Sequence, residues 1–213
     1  MAEGTGRLVA FSDDVFAIAI TLLILEVRVP HAGAEGGLWA GLIALWPSYL
    51  AFVLSFFVIL IMWVNHHELM RLVRAVGYPF LFANGFVLLT VTFVPFPTAV
   101  LAEHLATAEA SAAVTFYCGT FVVNSLAWGL LFWAIVRGQL FRADVDAETI
   151  GRIRRAYMAG PPVYVVATLV ALVQPALGLA LNVSLWLLWI RLCYHTRYEA
   201  RSRSARLHAG SKT

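Results

Sequence analysis

An all-α integral membrane protein with six transmembrane helices is the fold class this sequence predicts. Three observations predict it. The 213 residues are 61% hydrophobic and 13% charged, well below the charge of a typical soluble domain, and the mean hydropathy is +0.81. The apolar residues form continuous runs of helix length, not the alternation of a β-barrel. The arginines gather between those runs and in the tail, as topology determinants do. That placement also argues against nucleic acid as the partner of a net charge of +3.

The first segment, about residues 7–29, is long enough to cross a bilayer, yet Arg7, Ser12, Asp13 and Asp14 lie at its start. Charges in a spanning helix are costly and are usually paired or functional. At ~100° per residue, Ile18, Leu22 and Leu25 share one narrow stripe. Thr21 sits at its edge, and Phe11 and Asp14 extend it toward the N-terminus. Ser12 and Asp13 point elsewhere and need partners within the bundle. By periodicity alone the stripe fits lipid, a neighbouring helix, or symmetry copies around a pore. Ala32-Gly33-Ala34 is like a signal cleavage site, but Asp13, Asp14, Glu26 and Arg28 do not suit a signal peptide, so the segment reads as retained.

Pro30 and a Gly-rich loop end this segment. The second runs over about 38–65, with Pro47 as a candidate kink and Trp39, Trp46, Tyr49 and Trp63 suiting the interfaces. The third covers about 79–101, with Asn84 inside and Pro95 and Pro97 disturbing its far end. The fourth covers about 111–136. The loop 137–155 holds five arginines beside Asp144, Asp146 and Glu148, and part of it reads as a short surface helix. The fifth and sixth segments, about 157–173 and 176–194, are divided at Gln174-Pro175, although one long kinked helix is the alternative. Charge favours the division. With six crossings, only Arg28 of the 15 Lys and Arg lies opposite the rest. Both termini are then cytoplasmic. Residues 1–196 form one transmembrane domain and 197–213 a basic tail. Cys118 and Cys193 read as buried thiols, with no disulfide framework and no metal spacing.

The same topology matches depths. Trp63, Asn65, His66 and His67 end the second segment on the side where Ser12 and Asp13 lie, and Asn84 enters the third from that side. A network of Ser12, Asp13, His66 or His67, and Asn84 follows, with Arg7 as counter-ion. Adjacent histidines diverge by about 100° on a helix, so His66-His67-Glu68 is a poor metal site; the two histidines offer pH sensitivity instead. Asp14 either concentrates cations or pairs with an arginine.

The pattern Arg-x-x-x-Phe-Ser-Asp at Arg7, Phe11, Ser12 and Asp13 continues through Ala17-Ile18, Thr21-Leu22 and Leu25-Glu26 to Val29-Pro30. It resembles the signature of the endolysosomal potassium channel family called transmembrane protein 175. Vertebrate members carry two copies of a six-helix unit, so a single unit implies the bacterial branch and a bacterial inner membrane. The resemblance implies a homotetramer in the lipid bilayer, with the first helix lining a central pore and no re-entrant filter loop. It implies Ile18 as the main constriction, Leu22 and Leu25 as supporting apolar rings, and Thr21 as a contact for permeating ions. It also implies that the motif residues fix the first helix against the second and third. Asp14 departs from the small residue expected after the motif aspartate.

The expected function is a passive cation channel selective for K⁺ over Na⁺, needing no cofactor beyond the permeant ion. The sequence lacks a Thr-Val-Gly-Tyr-Gly carbonyl filter. A tight apolar ring forces partial dehydration, which costs K⁺ less than Na⁺. Enzyme motifs are absent: there is no Gly-x-Ser-x-Gly, His-Glu-x-x-His or P-loop. The alternatives are a proton- or cation-coupled transporter using the aspartates and histidines, and a scaffold in which the motif is purely structural.

Overall fold

The computed structural model describes residues 2–30, 37–186 and 189–190. The expected tail 197–213, Cys193 and the end of the sixth segment lie outside these residues. Within them the chain is helical. Helix α1 spans Ala2–Leu22 and tightens into a 3₁₀ turn over Leu23–Glu26. Helices α2 (Gly37–Ala44) and α3 (Trp46–Arg71) follow, then α4 (Tyr78–Phe93), α5 (Pro95–His104) and α6 (Ala110–Arg137). Helices α7 (Ala147–Ala171) and α8 (Pro175–Trp186) complete the bundle.

Four stretches among the described residues are long and apolar enough to cross a membrane: Thr5–Glu26, Trp46–Arg71, Tyr78–His104 and Ala110–Arg137. Prolines explain where two expected segments divide. Pro47 stands in the first turn of α3, where its missing N–H is no loss, and the chain breaks just before it at Leu45. Pro95 has no N–H for the Val91 carbonyl. The amide of Val94 takes that carbonyl at 3.1 Å, and α4 passes into α5. Helix α3 also runs to Arg71, so His66 and His67 lie within it and not at its end.

Helix α7 begins at Ala147, well before the expected start near 157. The Asp146 side chain accepts from the Thr149 amide at 2.6 Å, an N-cap that lets helix form through the charged stretch. The surface helix expected in this loop is therefore the first part of α7. Upstream, Arg142 grips Asp144 through two nitrogens at 3.1 and 3.2 Å and holds that carboxyl below its usual range.

Beyond α7 the chain doubles back. A Cβ on Gly178 would sit 2.5 Å from that of Ala171, so only glycine lets α8 return this closely. Trp189 Nε1 donates to the Tyr164 hydroxyl at 3.0 Å, deeper along the same pair. The break at Gln174-Pro175 is thus a hairpin, not a kink.

Helix α6 packs against α4, α5 and α7, and α1 packs on α3 and α4. Tyr117, Phe121, Leu131 and Ile135 of α6 are fully buried, with Phe80, Val87 and Val91 of α4 and Ile59 of α3. At one end two loops clasp each other: the amides of Arg74 and Arg142 donate to Leu140 and Leu72 carbonyls, both at 2.9 Å.

Candidate functional site

Helix α1 has two faces of different character. Ser12, Phe16, Ala19 and Leu23 are buried at spacings of four, three and four, the inward stripe of a helix. Phe11, Ile18, Leu22 and Leu25 are exposed at 60, 56, 43 and 68%, with Arg7, Asp14 and Thr21 beside them. The two stripes lie about 130° apart at ~100° per residue. The ring of stripe residues expected to line a pore is thus bare in the subunit. The Thr21 hydroxyl donates to the Ile18 carbonyl at 2.9 Å, leaving its lone pairs outward.

The buried face is tied by polar bonds near one end. His66 Nε2 meets Asn84 Oδ1 at 2.7 Å. That amide oxygen only accepts, so His66 donates from Nε2. Asn84 Nδ2 then donates to Ser12 Oγ at 3.1 Å, and Ser12 Oγ donates to the Leu8 carbonyl at 2.9 Å. The bonds all run one way, from α3 through α4 to α1. His66, Asn84 and Ser12 are each essentially fully buried. A second tie is separate: Trp63 Nε1 donates to Asp13 Oδ1 at 2.8 Å.

The structure therefore brings together Ser12, Asn84 and His66, and separately Asp13 and Trp63. His67 is not in the chain of bonds; its ring lies 6.0 Å from that of Trp63. Arg7 does not close the network. It is exposed on the bare stripe, roughly 120° around the helix from Asp13, and the indole N–H serves the carboxylate instead. Phe11 likewise sits on the bare stripe, 60% exposed. Among the described residues Asp14 has no arginine partner, and no group of three His, Cys, Asp or Glu could hold a metal ion.

Sequence reasoning missed Phe16. Its ring lies 5.4 Å from His66, which in turn meets Trp128 of α6 edge-on at 6.1 Å. The signal was the spacing from Ser12, readable once Ser12 is taken as inward. Two further buried polar ties hold the bundle. Ser55 Oγ contacts Thr98 and Tyr117 hydroxyls at 2.6 and 3.1 Å, and Asn124 Nδ2 donates to Thr90 at 2.7 Å. At the other end of α1, Arg28 pairs with Glu103 of α5 at 3.0 Å, both side chains exposed.

Comparison with known proteins places these features. A family model described as endosomal/lysosomal potassium channel TMEM175 matches residues 7–95. A potassium channel of Chamaesiphon minutus is 47% identical over 166 residues, covering 76% of this chain and 82% of that protein. A potassium channel of Streptomyces collinus is 47% identical over 178 residues, covering 83% and 86%. The crystal structure of a lysosomal potassium-selective channel TMEM175 homolog from Chamaesiphon minutus superposes with a TM-score of 0.82 at 39% identity, covering 90% of this chain and 98% of that one.

Proposed function

This chain belongs to the TMEM175 potassium channel family, in its bacterial branch, and from that premise we propose that it conducts K⁺ passively through a pore lined by α1. It is a multi-pass membrane protein and a potassium channel, not an enzyme. Conduction draws on no cofactor. The finer reading is a homotetramer selective for K⁺ over Na⁺. Each subunit crosses six times, within residues 1–196, with both termini in the cytoplasm of a bacterial inner membrane. The hairpin of α7 and α8 supports the last two crossings.

The observation that carries the pore assignment is the bare stripe of α1. This span has a hydropathy of 2.2, yet only 22% of it is buried in the subunit. The subunit leaves Ile18, Leu22 and Leu25 outward, and closed cyclic symmetry would face each copy of that stripe across an axis. Stacked rings of branched side chains exclude hydrated ions by size and dewetting. Ile18 leads the constriction, Leu22 and Leu25 reinforce it, and Thr21 offers hydroxyl oxygens beside it. Ser12 and Asp13, held by Asn84, His66 and Trp63, keep the stripe turned to the axis. Asp14 stands at the cytoplasmic mouth as a fixed negative charge.

The test is planar bilayer recording under a K⁺/Na⁺ gradient, wild type beside Ile18→Asn. Unitary steps with a reversal potential toward K⁺, altered by the substitution, are expected. Steps insensitive to Ile18→Asn would move the constriction elsewhere. Absence of steps with persisting K⁺ flux in liposomes would favour a coupled carrier, and no flux at all a scaffold.

A further inference from the structure

Helix α3 packs on α1 and α5, while α6 packs on α4, α5 and α7. Between α3 and the side formed by α6, α7 and α8 the bundle leaves a cavity of about 30 Å³. Its walls include Val58 and Met62 of α3, Asn124 and Trp128 of α6, Tyr164 of α7 and Trp186 at the end of α8. We propose that this cavity binds a small neutral molecule, a short apolar chain bearing one hydroxyl group.

Size sets the first limit. A water needs ~10–15 Å³ of such space, so the cavity takes roughly two or three waters. Bonded atoms stand closer together than separate waters, and the same space takes a chain of about four heavy atoms. Met62 is the adaptable wall, because its unbranched thioether re-packs around what enters.

Polarity sets the second limit. Trp186 is 7% exposed, and its indole N–H is buried with no hydrogen-bond partner among the described residues. A buried donor left unmade costs free energy that an acceptor in the cavity recovers. Other polar groups of the wall already donate elsewhere. Asn124 Nδ2 donates to Thr90, Ser125 Oγ to the Val122 carbonyl and Asn65 Nδ2 to the Ile61 carbonyl. The Ser125 oxygen keeps lone pairs for an incoming donor. A hydroxyl is the smallest group that accepts from an indole N–H and donates to such an oxygen, while the rings of Trp128 and Tyr164 take the apolar chain.

Charge sets the third limit. No Asp, Glu, Lys, Arg or His side chain lines the cavity among the described residues. His66 borders Trp128, with ring centroids 6.1 Å apart, but its Nε2 proton goes to Asn84. A cation in this cavity has no counter-charge at membrane depth, and aromatic faces alone do not offset its dehydration. The ligand is therefore neutral.

Tryptophan fluorescence of the intact channel in lipid nanodiscs, titrated with 2-bromoethanol, tests this. Bromine quenches indoles at short range, and Trp128 and Trp189 both line the cavity. Quencher dissolved in the lipid gives a linear background over all seven tryptophans. A saturable phase above that background is expected in the wild type. Trp186→Phe keeps an aromatic wall but removes the donor, and is expected to raise the half-saturating concentration about fivefold. Val58→Phe fills the space and is expected to abolish the saturable phase. 1-Bromopropane, of the same length without the oxygen, is expected to bind about fivefold more weakly than 2-bromoethanol in the wild type and equally in wild type and Trp186→Phe. A purely linear response in the wild type overturns the proposal and leaves the cavity to water. Equal half-saturation in wild type and Trp186→Phe, or 1-bromopropane binding as tightly as 2-bromoethanol, also overturns it. If Val58→Phe does not fold, Trp186→Phe and the two ligands carry the test. Quenching is independent of ion flux, so this result and the pore assignment stand or fall separately.

Discussion

The first and fourth spans are built on opposite plans. Thr5–Glu26 has a hydropathy of 2.2 and is 22% buried, while Ala110–Arg137 has a hydropathy of 1.7 and is 56% buried. The more apolar helix is the less packed one. In lipid, burial of a helix against its neighbours brings no hydrophobic gain, so association rests on close contact and on hydrogen bonds between helices. Helix α6 fits that plan, with Tyr117, Asn124 and Ser125 buried. Helix α1 uses it on one face only, through Ser12 and Asp13, and leaves the other face for a different surface. The difference teaches that a polar residue in a span marks the packed side, while a bare apolar stripe marks a side that the subunit itself does not cover.

The largest effect is expected where the two plans meet. Asn84 is the link between α1 and the packed bundle, bonding Ser12 and His66 at once. Asn84→Ala strands a buried imidazole N–H and is expected to cost about 2 kcal/mol, seen as a lower melting temperature in detergent. Asn124→Ala breaks a comparable tie, from α6 to α4, without touching α1. It is expected to lower stability by a similar or smaller amount and leave unitary conductance unchanged, whereas Asn84→Ala also alters open probability. Equal currents in both variants would dissolve the distinction between the anchored helix and the packed one.

A smaller effect is expected at the second tie. Asp13→Ala leaves the Trp63 indole N–H without its acceptor and is expected to cost about 1.5 kcal/mol. Asp13→Asn keeps an oxygen in place and is expected to cost less than about half of that. If the two variants melt alike, the negative charge of Asp13 is the contribution, not the hydrogen bond from α3.

Much of this was legible from residue order, for physical reasons that can be named. Apolar runs of bilayer length declare spans without any tertiary knowledge. The polar residues Ser12, Asp13, Trp63, His66 and Asn84 stood out because each is expensive in lipid, and matching their depths brought the right helices together. Helix breaks were half legible: Pro47 and Pro95 signalled them, but the position of each break depends on which neighbouring amide takes the orphaned carbonyl. The start of α7 was hidden by its charges, although Asp146 three residues before Thr149 was a visible cap. Arg7 was misplaced because charge pairing was given precedence over helical angle, and the angle alone puts it on the bare stripe. Phe16 was invisible because one phenylalanine in an apolar run carries no signal until the inward face is known.

The smallest effect is expected at Asp14, and it sharpens the account of the bare face. Asp14 is exposed on the stripe that carries Ile18, with no ion pair among the described residues. It contributes nothing to packing, so Asp14→Asn should leave the melting temperature unchanged. In the proposed tetramer its charge would act through the solution at the pore mouth, and salt would decide how far that reaches. The Debye length is about 30 Å at 0.01 M and about 3 Å at 1 M. Single-channel K⁺ conductance is therefore expected to fall roughly twofold in Asp14→Asn at low salt and to match wild type at 1 M. A reduction that persists at 1 M would mean Asp14 shapes the pore by direct contact. No reduction at either salt would mean its charge does not face the conduction path, and the stripe would then have to be turned away from the axis at its inner end.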